Sequence, residues 1–206
     1  MDSAFISLTP NFRLNIAAEA IDYQTALENT LATFQQHGDL RLSRVLIVTQ
    51  SMREWGQYHP TDPVVSFADY IDGNYPASGA RARVINLCQK FYYLSEGYYC
   101  SLLAEARGDN VIPSVRTLSD LSKRSLYRIH LEELSESLYR SLEPTANHDR
   151  IVVHSFFGRT TDPRFEELAR ALFGTFPCPI LEIRLEFRGR WQVSRLKPRA
   201  ISQLSS

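Results

Sequence analysis

Tyr92, Tyr93, Ser95, Gly97, Tyr98 and Tyr99 fall close together, directly after an apolar run that ends at Cys88. Where a helix starts behind a strand, its first amides have no intrahelical partner and its dipole favours a negative charge. A serine cap, a glycine that lets a ligand approach the backbone and hydroxyl-bearing rings could together hold an anion there. The same residues also have a plainer use, in which Ser95 and Gly97 begin the helix while Tyr98 and Tyr99 pack on the sheet. No G-x-G-x-x-G or Walker sequence accompanies them, so no dinucleotide or P-loop site is expected. Asn86, near the end of the preceding strand, joins this candidate set by position and chemistry.

A second group lies after the apolar run at Ile151, where Ser155, Arg159, Thr160, Thr161 and Asp162 present hydroxyls and a guanidinium. Arg159 could clamp a carboxylate or phosphate in two-point fashion; equally, Asp162 can cap the next helix and leave Arg159 in solvent. Other chemistry lacks its partners. Ser155 has no G-x-S-x-G elbow, and Cys88 sits at a strand end like a nucleophile but without an identifiable His and acid. His154 reads as a strand histidine, and His37, His59, His130 and His148 have no metal-ligand spacing. Glu132, Glu133 and Glu136 read as the solvated face of a helix. No catalytic and no metal-binding residue is expected in this chain.

The elements that must position these residues follow from hydrophobic spacing. Val45 to Val48 is a contiguous branched run suited to a strand covered on both faces, and Val64 to Phe67 is a short second strand. Arg83 to Cys88 is the next, followed by a helix from Ser95 to a stop at Gly108 and a strand at Val111 to Val115, with Pro113 at its margin. One long helix is expected from Ser119 to Leu142. Ile151 to Phe157 reads as a further strand of the same alternation. A helix opened by Asp162-Pro163 and stopped at Gly174 comes next. Ile180 to Phe187 alternates apolar with charged residues, turns at Arg188-Gly189-Arg190 and returns through Trp191, Val193 and Leu196, an antiparallel edge hairpin. Single helices between strands imply a three-layer α/β fold with a mostly parallel sheet of Rossmann type, and ligands at the carboxyl ends of its strands.

Length and charge narrow the function classes. The chain has 206 residues, 44% hydrophobic and 22% charged, enough for one buried core. Twenty-three basic residues balance 23 acidic ones, so no global field draws nucleic acid or an anionic membrane, although a local arginine cluster is compatible with the sum. Three cysteines without paired spacing argue against a disulfide framework and for a reducing compartment. No secretory leader or long apolar span is evident, which favours the cytoplasm. Three segments are expected: residues 1–40 as a lead-in with a helix through Ile21, Leu27, Leu31 and Phe34, residues 41–197 as the main domain, and 198–206 as a linker or tail.

Over that main domain the text resembles a known family. Ala82-Arg-Val-Ile-Asn-Leu-Cys88, Tyr93-Leu-Ser-Glu-Gly-Tyr-Tyr99, Ser101-Leu-Leu-Ala-Glu-Ala-Arg-Gly108 and Val111-Ile-Pro-Ser-Val115 occur in order, with Leu46-Ile-Val48, Trp55, Asp69-Tyr70, Arg164-Phe-Glu-Glu-Leu168, Phe173-Gly174 and Phe176-Pro-Cys-Pro179 around them. This resembles the RimK-like ATP-grasp N-terminal domain, across roughly Val45 to Leu196. The resemblance implies a pre-ATP-grasp α/β module that precedes a catalytic region joining a carboxylate to an amine, with ATP and Mg²⁺ bound by that following region rather than by this chain. It implies a C-terminal ATP-grasp region as partner, in cis or in trans, and an amino acid such as glutamate with a peptide or protein acceptor as substrates. From the balanced charge and the lack of a long apolar span, neither nucleic acid nor membrane is an expected partner. Asn86, Tyr93, Ser95, Gly97, Tyr98 and Arg159 are the expected substrate-binding or domain-docking residues. A standalone ligand-sensing or protein-interaction module is the rival expectation, and an independent flavodoxin-like binder is a third without a fingerprint.

Overall fold

The computed structural model describes residues 45–55, 64–75, 81–133 and 149–203. The helix expected near Ile21 to Phe34, and the continuation of the long helix from residue 134 to Leu142, lie outside them. The fold is a three-layer α/β arrangement with a mostly parallel sheet and a C-terminal antiparallel hairpin. Strands β1 (Val45–Thr49), β2 (Val64–Ser66), β3 (Arg83–Leu87) and β4 (Asn110–Ile112) form a parallel sheet in the order β2-β1-β3-β4. The contiguous apolar text of β1 follows from burial on both faces. Leu46, Val48 and Val84 pack beneath helices α2 (Phe67–Asp72) and α3 (Glu96–Ala106), while Ile47 and Ile85 meet Trp55 of the short helix α1 (Met52–Trp55) on the other face.

Helix α3 approaches the sheet closely because its inward positions are small: Gly97, Cys100, Ser101 and Ala104 are all buried and recur at helical spacing. Its far end is tied to α2 by Arg107, whose guanidinium donates to the Tyr70 carbonyl at 2.9 Å and the Ile71 carbonyl at 3.2 Å and covers the Tyr70 ring. Those carbonyls have lost their helical partners, so the cation also complements the helix dipole.

The long helix expected from Ser119 is two helices, α4 (Val115–Ser122) and α5 (Arg124–Glu133). Lys123 between them is extended, with φ −121° and ψ 116°. The Ser122 hydroxyl donates to the Ser119 carbonyl at 2.7 Å, and such a local bond competes with the helical ladder where the break falls. Ser114, read as part of a strand, caps α4 by accepting from the Thr117 amide at 3.0 Å.

Strand β5 (Arg150–Phe156) does not extend the parallel alternation. It pairs antiparallel with β6 (Ile180–Phe187), which pairs antiparallel with β7 (Trp191–Pro198), so the hairpin belongs to a separate three-stranded sheet. Leu181, Ile183 and Leu185 of β6 face Leu168 and Leu172 of α6 (Glu166–Thr175), Phe176 just beyond its end, and Leu121, Tyr127 and Leu131 of α4 and α5. Helix α6 runs through Gly174, the expected stop, to Thr175. The stretch read as a tail is folded as far as Gln203: the Arg199 amide donates to the Ile180 carbonyl at 3.0 Å, and Ala200 and Ile201 are buried.

The charged half of the β6 alternation has its own logic. Glu182 is 3% exposed and accepts from Arg184 Nε at 2.7 Å and from Arg199 Nε at 2.8 Å, with His154 Nε2 at 3.8 Å. Burial pushes its carboxyl up, yet Arg199 and Arg184 outweigh burial and hold it below its ordinary value. Burial lowers His154 despite the neighbouring Glu182. The signs agree: Glu182 contributes stability that is complete above its unfolded value of 4.5 and lost as pH falls through the depressed folded one, and His154 in the folded protein resists the proton that the unfolded chain accepts near 6.5. Urea unfolding is expected to show stability declining in acid below about pH 6.5 and more steeply below about pH 4.5. Glu182→Gln is expected to make the acid limb shallower and to lower stability near neutral pH by about 3 kcal/mol, because two guanidiniums lose their carboxylate.

Candidate functional site

In a sheet ordered β2-β1-β3-β4 the chain leaves β1 toward one edge and enters β3 on its other side, so the crevice between the carboxyl ends of β1 and β3 is the topological switch point. Asn86 and the start of α3 lie there. Asn86 is fully buried and wholly engaged: its carboxamide nitrogen donates to the Gly97 carbonyl at 2.6 Å and to Ser101 Oγ at 2.9 Å, and its oxygen accepts from the Cys88 amide at 3.1 Å. Ser101 Oγ passes the chain on to the Pro113 carbonyl at 2.6 Å. The group clamps strand, helix and β4 end together and leaves no donor for a ligand.

Ser95 and Gly97 are equally committed. Ser95 Oγ caps α3 through the Tyr98 amide at 3.4 Å and donates to the Lys90 carbonyl at 2.7 Å, and the Gly97 amide donates to that same carbonyl at 3.0 Å. The loop thus folds back over the helix N-terminus and takes up the Gly97 and Tyr98 amides, which an anion there would otherwise use. A Cβ on Gly97 would fall well inside contact distance of the Lys90 carbonyl oxygen and 2.9 Å from Cδ1 of Phe91, so glycine is required by close backbone approach to the loop.

Tyr93 and Tyr98 remain available. Tyr93 is 70% exposed and Tyr92 63% exposed; Tyr93 meets Tyr98 edge-on at 5.2 Å between ring centres, and Tyr98 meets Tyr99 at 6.1 Å. Leu94, held at a φ of 64°, and Leu102, one turn beyond Tyr99, are also exposed. The result is an apolar, hydroxyl-edged surface on a rigid base.

Arg159 is not part of this cluster. It ends the tight Phe157-Gly158 turn after β5 and pairs with Glu166 at 2.7 Å, where the Thr160 amide also donates to Glu166 at 3.2 Å. Asp162 caps the turn Pro163–Phe165 and binds Arg164. Sequence reasoning missed four polar side chains of the crevice. Gln50 bonds Glu96 and Gln89 bonds Glu54, so carboxamide–carboxylate pairs tie the β1–α1 loop to the β3–α3 loop. Reading the residues just after both strand ends, rather than after β3 alone, would have found them.

Cys88 and Cys100 are buried thiols; burial and then the hydrogen bond with Cys88 push Cys100 well up, and burial pushes Cys178 up to about 12. Neither condition favours a nucleophilic thiolate. Among the described residues no group of three or more His, Cys, Asp or Glu is placed to hold a metal ion. Among them, too, no helix is long and apolar enough to cross a membrane.

The described residues thus form a parallel α/β sheet whose crevice is filled from within, beside an antiparallel sheet. The chain belongs to the RimK-like ATPgrasp N-terminal domain family, whose description matches residues 67–206, and so is the N-terminal module of a RimK-like ATP-grasp ligase family. No curated protein gives a significant match.

Two substitutions test the structural reading of this end. Asn86→Ala is expected to cost about 3 kcal/mol in urea unfolding, by stranding buried partners and opening a cavity, and Gly97→Ala about 2 kcal/mol by overpacking.

Proposed function

We propose that this chain is a non-catalytic module of an ATP-dependent carboxylate–amine ligase, and that its tyrosine surface docks the ATP-grasp region and frames one side of the acceptor site. The reading rests on one observation: the Lys90 carbonyl and the Ser95 hydroxyl of the loop after β3 take up the Gly97 and Tyr98 amides of α3, while Tyr92 and Tyr93 of the loop and Tyr99 of the helix face solvent. A ligand cradle would do the reverse. Aromatic side chains on a fixed backbone lose little conformational freedom when a partner covers them, which makes them effective anchors. Family membership supports an ATP-grasp region as the occupant, since the family is described as the N-terminal domain of such proteins. Tyr93 and Tyr98 are assigned to docking and acceptor contact, Asn86, Ser95 and Gly97 to holding that surface rigid, and Arg159 to the β5–α6 connection. ATP and Mg²⁺ belong to the accompanying region. A cytoplasmic setting forms part of the proposal, supported by three free, buried cysteines.

Purified, the 206-residue chain is expected to release no ADP from ATP; release at an enzymatic rate would overturn the proposal. In a preparation containing the ATP-grasp region, Tyr93→Ser combined with Tyr99→Ser is expected to weaken association or ligation about tenfold or more, with the unfolding midpoint unchanged. An unaltered rate would favour a standalone interaction module.

A further inference from the structure

The balance of acidic and basic residues over the whole chain does not hold on the second sheet. Its helix-facing side is apolar, and strand register fixes what stands on the other side. Val152, Arg184 and Arg195 form one row across the three strands, and His154, Glu182 and Lys197 form the next. Arg199 enters from just beyond β7 and donates to Glu182. Four full cations therefore surround one carboxylate, and that carboxylate is already engaged by Arg184, Arg199 and His154. Arg195 and Lys197 have no ion-pair or hydrogen-bond partner among the described residues, and Arg184 commits its Nε to Glu182 while its side chain remains 43% exposed.

We propose that this face is an anion-binding site, in which Arg184, Arg195 and Lys197 receive a small ligand carrying one or two phosphate groups, with Glu182 and Arg199 positioning Arg184 beneath it. Like charges directly opposite each other in a ladder are unfavourable, and Arg184 opposite Arg195 is such a pair. The folded sheet tolerates that repulsion without using it, and an arriving dianion relieves it. Lys197 registers the same excess: burial, then Arg199 and Arg195, hold its ammonium below the ordinary value.

Charge and dimensions select the ligand. Three cations with donors to spare match a phosphate monoester at roughly −1.5 to −2 better than a single carboxylate. Neighbouring strands lie about 4.8 Å apart and same-face residues about 6.7 Å apart along a strand, so two rows on two strands cover one or two phosphates rather than a long polyanion. Exposed Val152, 54% accessible beside Arg184, offers an apolar edge for the group that carries the phosphate. The site stands on the second sheet alone and does not depend on the ligase reading.

The full chain should be titrated by calorimetry with inorganic phosphate, pyrophosphate, an alkyl phosphate monoester and citrate at constant ionic strength, in parallel with Arg195→Gln/Lys197→Gln and, as a control, Arg116→Gln on the exposed side of α4. The phosphate compounds are expected to bind more tightly than citrate, to lose about tenfold or more in the double variant and to be unaffected in the control. Their order separates a free phosphate or pyrophosphate ligand from a phosphorylated organic one. Equal binding by the double variant, or citrate binding as tightly as pyrophosphate, would overturn the proposal. Preferential, strongly salt-dependent binding of a single-stranded oligonucleotide would overturn it in favour of a polynucleotide surface. Should the double variant fold poorly, Arg195→Gln alone, at an exposed position, carries the same expectation.

Discussion

Burying a carboxamide without partners costs several kcal/mol, so the segment that follows β3 must bring partners to Asn86, and that requirement sets where α3 lies. The helix meets it with the Gly97 carbonyl and the Ser101 hydroxyl, one turn apart on its inner face. Bringing that face near enough requires small residues at Gly97, Cys100, Ser101 and Ala104. Ser101 then reaches the Pro113 carbonyl and fixes the end of β4 as well. A single polar group in an apolar layer thereby specifies the spacing of a strand, a helix and the next strand, where dispersion contacts alone would allow sliding.

The surface displayed at this end follows from the same geometry. With α3 drawn against the sheet, the loop from Gln89 to Ser95 has little room and turns over the helix start, placing the Lys90 carbonyl where the Gly97 amide and the Ser95 hydroxyl both reach it. A loop anchored this way points its middle residues outward. Tyr92, Tyr93 and Leu94 are exposed because the backbone on either side is fixed, and Leu94 accepts a left-handed φ to complete the turn. Rigid inner contacts and exposed aromatic residues are two outcomes of one packing solution.

Much of this was legible in the sequence, and the gaps have physical causes. The Ser95 cap, the strand text of β1 and β3, Pro113 just past β4 and the alternation of β6 are local signals, and the structure follows them; Ser66 and Phe67, read as strand, instead cap and begin α2. The sense of β5 is not local. Ile151 to Phe156 is apolar enough for either sheet, and only its pairing with Ile180 to Glu186, far along the chain, decides that it runs antiparallel. The break at Lys123 escaped the helical pattern because apolar spacing continues across it while the backbone does not. At the site, Asn86, Ser95 and Gly97 carry hydrogen-bonding or close-approach chemistry that the protein uses internally, the plainer of the two uses the sequence offers for Ser95 and Gly97, and only the folded contacts decide between such uses.

Glu182 shows why composition could not reveal the charge distribution. In β6 the even positions Glu182, Arg184 and Glu186 read as an ordinary solvated face, and the pattern alone gives no reason to single out one of them. The pairing register changes that, because it sets His154 and Lys197 on either side of Glu182 and Arg195 against Arg184. Once Arg199 arrives from beyond the strand, the carboxylate is surrounded, its lone pairs are used, and further cations nearby stay uncompensated. A chain with no net charge therefore concentrates positive charge on one side of one sheet. That concentration persists because the core on the opposite side, Leu181, Ile183, Leu185 and Leu196 against three helices, fixes the register that creates it.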